Sequence, residues 1–369
     1  MTSATNAQET SGWRARVRAA DVAAAAQVSI STVSLVVNHK WEGRVAAATV
    51  ARVRAQVDRL GYVVDESARR LATGATTAVA VVTPVFTNPF YARVSLGAAA
   101  ALGEAFHVVF SVPEIGDDPA ATVDRLRGLR LAGALVAAPS IELLGRLALD
   151  VPTVLLDAPG TISGRPRVDL DVADGAAQLA RHLVDLGHRR VAFMGATPET
   201  ETFRVRRTAL ADELRRMGAA LVHVVRLESE VDAGRAHLAA LEAMPDVVAL
   251  GATAVVCATD LHAYGLMRAC AEIGIGVPKD LSVAGFDDQP FSAYVTPALT
   301  TVSLPADRLG REAGMMLAEL IHRSISGTRD DGMDRSLTEQ PTVHVLPVSL
   351  VVRSSTTVAS ASPLGSTSP

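Results

Sequence analysis

Few side chains in this sequence are spaced for covalent chemistry. There is no GxSxG, no HExxH, no Walker loop and no GxGxxG after a strand-like run. Its nine histidines are scattered, and no Cys/His or Asp/Glu set has the spacing of metal ligands. The two cysteines, Cys257 and Cys270, exclude a disulfide framework and read as small buried apolar side chains. No catalytic residue, cofactor or metal is therefore expected. The densest set of useful groups is the hydroxyl run Ser29, Ser31, Thr32 and Ser34 within DVAAAAQVSISTVSLVVN, residues 21–38. Hydroxyls and free N–H groups at a helix start can take phosphate oxygens or meet base edges.

The elements around that run must position it. Residues 21–26 read as a short helix, 27–29 as a turn, 30–38 as a second helix and 47–60 as a third. Val22, Val28, Val33 and Val36 have the spacing of a core shared by two crossing helices, with Ala23 small enough for their close approach. Ser29 is placed to cap the second helix, so that Ile30, Ser31 and Thr32 form its first turn. In a helix-turn-helix those residues enter the major groove. The same spacing also suits a small helical packing domain with no DNA role. Gln27 holds the turn position where glycine is common, and Gly61 reads as the stop of the third helix.

Charge is unevenly spread. Residues 1–76 hold ten basic and six acidic side chains, a net +4, which leaves −8 for the remainder of a chain of net charge −4. A basic head on an acidic body is the asymmetry of a protein that touches a polyanion with one end. From residue 77 apolar runs at 78–82, 108–111, 134–138, 153–156, 191–194, 222–226, 254–258 and 281–285 alternate with helical segments, and the layout repeats after Gly187. Continuous apolar runs separated by helices imply parallel strands covered on both faces, here as two α/β lobes. No run approaches the ~20 apolar residues of a membrane span. The N-terminus has no secretory pattern, and cytoplasmic (nucleoid-associated) placement is expected.

Several motifs together resemble the LacI/GalR (lactose-repressor) family of bacterial transcription regulators over residues 18–353. They are DVA at 21–23, VS at 28–29, TVS at 32–34, VVN at 36–38, LGY at 60–62 and ARRL at 68–71 in the head. The body adds NPFY at 88–91, LGHRRVAFMG at 186–195, VPKDLSVAGFDD at 277–288 and TPALTTV at 296–302. The resemblance implies an all-α helix-turn-helix head with a hinge helix, then a periplasmic-binding-protein-like α/β body of two doubly wound parallel-sheet lobes. The implied boundaries are the DNA-binding domain at 18–64, the hinge at 65–76 and the effector-binding and dimerisation body at 77–353; the polar, aperiodic residues 1–17 read as a disordered arm and the Ser/Thr/Pro-rich low-complexity end at 354–369 as a disordered tail.

By this resemblance Ser29, Ile30, Ser31, Thr32, Ser34, Leu35, Asn38 and Tyr62 face DNA, and the hinge adds Ala68, Arg69, Arg70 and Leu71. Leu71 is the side chain wedged between base steps at the operator centre, which trades unstacking for a bent duplex. The implied effector site is Phe90, Tyr91, Asp157, Thr202, Arg206, Thr259 and Asp287. The two aspartates can accept bidentate hydrogen bonds from vicinal hydroxyls, Arg206 can donate to a sugar oxygen or pair an anion, and an aromatic ring can cover an apolar sugar face. The implied function is a ligand-responsive regulator, usually a repressor, bound as a homodimer to a near-palindromic double-stranded operator. A sugar-binding protein without a DNA role is the alternative.

The sequence departs from the family in places. The arginine that usually follows Thr-Val-Ser is Leu35, which cannot pair with guanine and can touch a thymine methyl. Asp65 and Glu66 bring negative charge to the hinge entry. The frequent Asn-Asp is Thr259-Asp260, and Ala209 and Leu210 replace a usual glycine and aromatic, which opens the site to an apolar or carboxylate-bearing effector. If Leu71 is the wedge, Leu71→Ala weakens operator binding while effector affinity holds. Unchanged operator affinity in a titration would remove the hinge assignment.

Overall fold

The computed structural model describes residues 17–62, 76–85, 87–112, 118–160, 164–197, 200–228, 232–325 and 341–360. The chain divides into two compact units, Met1–Ala75 and Thr76–Pro369. The hinge expectation, with Ala68, Arg69, Arg70 and Leu71, lies outside the described residues.

The first unit is built from α1 (Ala19–Ala26), α2 (Ile30–Val37) and α3 (Ala47–Leu60). The first two helices turn through 104°, within the range of a helix-turn-helix. Gln27 makes that turn in the left-handed region at φ 52°, and the Val28 amide donates to the Ala23 carbonyl to close it. Ser29 Oγ accepts from the Thr32 amide, as the cap reading requires. Val22, Ala23, Ala26, Val33, Val36, Val50 and Val53 form the buried core. Gly61 ends α3 at φ 63°. Arg52 Nε donates to the Ala26 carbonyl at 3.0 Å and ties α3 to the end of α1.

The second unit has two lobes. The first lobe's sheet holds β1 (Ala78–Val82), β2 (His107–Ser111), β3 (Leu131–Ala137), β4 (Thr153–Leu156), β5 (Arg167–Leu170) and β11 (Val343–Leu346), in the order β11-β5-β4-β3-β1-β2 and parallel throughout. The second lobe's sheet holds β6 (Arg190–Thr197), β7 (Ala220–Glu228), β8 (Ala254–Cys257), β9 (Ser282–Asp287), β10 (Thr300–Ser303) and β12 (Ser349–Val351), ordered β12-β10-β9-β8-β6-β7. Its edge strand β12 is antiparallel to β10, so this lobe is not purely parallel. In each lobe the order reverses beside the first strand, at β1/β3 and at β6/β8, and the crevice past the strand C-termini at such a point is where α/β sheets bind ligands.

The helices covering the sheets are α4 (Pro89–Leu102), α5 (Pro119–Gly128), α6 (Ile141–Arg146), α7 (Val172–Asp185), α8 (Glu201–Arg216), α9 (Ala233–Ala249), α10 (Asp260–Glu272) and α11 (Ala306–Ile325). The chain passes from the first lobe to the second between β5 and α7, returns between β10 and α11, and passes again between β11 and β12. The sequence repeat therefore does not map one half of the chain to each lobe. Strands β5, β10, β11 and β12 are additions to the eight expected runs.

The expected disordered tail needs correction for residues 354–360. They run along the second lobe, where Ser355 is fully buried with Oγ donating to the Val283 carbonyl and accepting from the Thr300 amide, at 2.6 and 2.8 Å. Buried His188 meets Thr253 Oγ1 and the Thr357 carbonyl at 2.8 and 3.0 Å. The hydroxyls that made this segment look like low complexity are the groups that hold it.

Helices α4 and α11 touch backbone to backbone. A Cβ on Gly310 would collide with the Val94 carbonyl oxygen, and one on Gly97 with the Asp307 carbonyl oxygen. Gly310→Ala is expected to destabilise the body by roughly 1–3 kcal/mol, the usual effect of overpacking. Gly128→Ala, which meets no atom within 4 Å, should change denaturant midpoints little. Equal midpoints for the two variants would contradict this packing.

Candidate functional site

Two surfaces gather the expected residues, one in each unit. On the head, α2 buries Val33 and Val36 and turns Ile30, Ser31 and Ser34 outward, with Thr32, Leu35 and Asn38 half-buried. Ser29 Oγ lies 2.7 Å from Ser31 Oγ and 2.8 Å from Thr32 Oγ1. Asn38 Nδ2 donates to the Ser34 carbonyl at 2.8 Å. Tyr62 packs half-buried against the head core. Between α2 and α3, Trp41 meets His39 with ring planes tilted by 52° and centroids 5.1 Å apart, and it lies under the Arg54 guanidinium at 4.5 Å. Sequence reasoning passed over Trp41. Lys40 and Arg44 are exposed on the same loop, and their charge suits phosphate.

In the body, the strand C-termini of the two lobes face one cluster. Arg206, on α8, sends Nη1 to the Ala258 carbonyl at 2.7 Å and to Asp287 Oδ1 at 3.5 Å, while Nη2 lies 3.7 Å from Asp157 Oδ2. Its guanidinium sits 5.3 Å from the Phe203 ring and 4.9 Å from the Phe286 ring. All three charged side chains are 3% exposed. Arg206 Nε is buried without a hydrogen-bond partner. Asp157 belongs to the first lobe, Arg206 and Asp287 to the second, so the guanidinium bridges the lobes.

Other groups extend the bridge. Thr202 Oγ1 donates to Asp157 Oδ1 at 3.0 Å. Asn88, the N-cap of α4, receives the Phe90 amide on Oδ1 and sends Nδ2 to Asp287 Oδ2 at 3.2 Å. Gln289 Nε2 donates to Asn88 Oδ1 at 2.6 Å. Tyr91 is buried beside Phe90, edge to face at 5.2 Å. Thr259 is not among the groups brought together: its Oγ1 caps α10 by accepting from the His262 amide. Asn88, Gln289, Phe203 and Phe286 are members that sequence reasoning missed. An Asn before Pro89 is a helix N-cap signature and was the available signal for Asn88.

Both carboxylates sit on unusual backbone, Asp157 at φ 49° and Asp287 at φ 113°. Such conformations are disfavoured for residues with a Cβ and collect at functional sites. Burial raises the pKa of Asp157, and Arg206 opposes the rise. Burial pushes Asp287 up to about 6, against the pull of Arg206, Asn88 and Gln289. Asp260, fully buried behind it, is pushed up to about 8 by burial and then by the charge of Asp287, although Ser292 and Thr301 both donate to it at 2.5 Å. Burial, then the charges of Asp157 and Asp287, raise the Tyr91 phenol. Among the described residues no cluster of three His, Cys, Asp or Glu could hold a metal, and no single helix is long and apolar enough to cross a membrane.

A carboxyl whose pKa is higher folded than unfolded stabilises the fold when protonated and loses that contribution as pH rises through the folded value. The stability advantage of Asp287→Asn over the parent chain should therefore grow from pH 4 to about pH 6 and level off above. Thermal melts of both proteins across this range check it, and a constant difference would show that burial does not raise Asp287.

Comparison with known proteins matches both parts of the chain to known domains. Residues 19–65 match the model for bacterial regulatory proteins of the lacI family, and residues 180–356 match that of a periplasmic binding protein-like domain. The chain is 33% identical over 328 residues to an uncharacterized HTH-type transcriptional regulator in the aml 5' region of Streptomyces limosus, covering 84% of this chain and 90% of that protein. It is similar to the lac repressor dimer bound to operator and the anti-inducer ONPF, with a TM-score of 0.76 and 26% identity over 93% of this chain and all of that one. It is also similar to the CelR–cellobiose complex, with a TM-score of 0.64 and 27% identity over 92% of this chain and all of that one.

Proposed function

The chain belongs to the lacI family of bacterial regulatory proteins, and from that premise we propose that it is a repressor released from a near-palindromic operator by a neutral sugar bound between the lobes of its body. The observation that carries this reading is the Arg206 bridge, in which one guanidinium faces a carboxylate from each lobe. A ligand with vicinal hydroxyls competes for those carboxylates, and a shift in their spacing changes the angle between lobes. Two carboxylates against one cation leave the cluster net negative when both are ionised, which disfavours an anionic effector and favours a polyol. CelR, solved with cellobiose, is a relative with a ligand of that chemistry.

In this reading Asp157, Asp287, Arg206 and Thr202 hold the sugar, with Asn88 and Gln289 beside them and Phe90 and Tyr91 walling the first lobe. Ser29, Ile30, Ser31, Thr32, Ser34, Leu35, Asn38 and Tyr62 form the DNA face, and Ala68, Arg69, Arg70 and Leu71 the hinge. The chain works in the cytoplasm, on the chromosome, without catalysis. It acts as a homodimer, since a two-fold protein mirrors two half-sites. An apolar strip on α4 and the edge strand β2, with Leu96 69%, Phe110 45% and Val109 37% exposed, supports self-association through the first lobe.

Selection of bound sites from a random duplex library tests the DNA half of the proposal, with enrichment of a two-fold symmetric site as the expected result. Release of that duplex by a panel of neutral and anionic sugars tests the other half. Arg206→Met should keep operator affinity within about twofold and lose release by the active sugar. Normal release of the variant would remove the guanidinium from the site.

A further inference from the structure

We infer that the head reads its half-site through thymine methyl groups, with Ile30 as the main contact. The inference rests on the operator-binding function proposed above and names what that function recognises. Helix α2, ISTVSLVV, contains no Arg, Lys, Asn, Gln, Asp or Glu. Arg and Lys pair with guanine, Asn and Gln with adenine, and Asp and Glu accept from cytosine, so this helix cannot make the pairings that usually identify G·C or hydrogen-bond adenine.

The short polar groups on the helix are already engaged. The Ser29, Ser31 and Thr32 hydroxyls bond one another at 2.7 and 2.8 Å, and Ser29 also takes the Thr32 amide. Asn38, at the helix end, is held by Ser34 through its carbonyl and Oγ at 2.8 and 3.3 Å. A hydroxyl network of this kind can still touch phosphate, but it carries little base information.

Ile30 is the exception to the burial pattern. Val33 and Val36 are 0% and 2% exposed, and Leu35 and Val37 are half-buried, whereas Ile30 is 56% exposed at the first position of α2. Helix-turn-helix geometry puts that first turn on the base edges. An apolar side chain there finds one apolar partner in the major groove, the C5 methyl of thymine. Leu35 lies five residues further along and is more enclosed, which makes it a secondary contact. Exposed Lys40, Arg44 and Arg54 supply sequence-independent attraction to phosphate. The expected half-site is accordingly centred on A·T pairs, with discrimination resting on methyl burial.

The test uses the full chain and the duplex enriched from the random library, at one fixed salt concentration. Each thymine of the half-site is replaced in turn by uracil, which removes only the methyl. At least one position should lose about fourfold in affinity per half-site, the size expected for one buried methyl group. The loss at that position should vanish in Ile30→Ala and persist in Ile30→Val, and because Ile30 is exposed neither change threatens the fold. A symmetric site whose affinity ignores every uracil substitution would overturn the inference and leave the regulator reading standing. Uracil sensitivity that survives Ile30→Ala and disappears in Leu35→Ala would overturn the role of Ile30. Failure to enrich any symmetric site would overturn both readings together.

Discussion

The body depends on one buried cation shared by two anions. Arg206 faces Asp157 across the lobes and Asp287 within its own. Removing such charges from water costs several kcal/mol for each ion before the attraction is counted, so the arrangement is poor value for stability alone. Geometry underlines this: both ion-pair distances exceed 3.4 Å, and Nε has no hydrogen-bond partner. A bridge that is buried, under-satisfied and set on disfavoured backbone suits replacement by a ligand with more hydroxyls to offer.

The fold explains why these groups meet. Each lobe reverses its strand order beside its first strand, and the helix that follows, α4 or α8, begins at the crevice so formed. Asn88 enters from one helix and Thr202 with Arg206 from the other. Three passages of chain join the lobes. The last of them continues into the segment at 353–360, where Arg353 donates to Asp288 Oδ1 at 2.6 Å, next to Asp287. The C-terminal segment thus begins its hold on the second lobe beside the buried Arg206 cluster.

Much of this architecture was legible because the residues left little choice. Helix α3 declares itself by valines at three- and four-residue steps and by Gly61, and β1 and β4 by unbroken apolar runs. Strands β5, β10 and β12 were not legible: RVDL, TTVS and SLV are three or four residues long and partly polar, so neighbours rather than propensity make them strands. The return of α11 and β11 to the first lobe depends on contacts far apart in sequence, which no local pattern encodes. At the site, motif resemblance located Asp157, Thr202, Arg206 and Asp287, but Gln289 joins only through the turn that Asp260 pins from behind. Thr259 entered the expected site because it stands where the family's frequent Asn-Asp falls, and its hydroxyl caps α10.

In the proposed function, sugar in the cleft and operator at the head share one coupling free energy. Linkage requires that the factor by which ligand weakens DNA binding equal the factor by which DNA weakens ligand binding. Titration calorimetry of the releasing sugar into the free chain and into its operator complex measures that factor directly. The expected result is a weaker sugar affinity in the complex, by the same fold as sugar weakens operator affinity. Identical sugar affinities in the two titrations would contradict it.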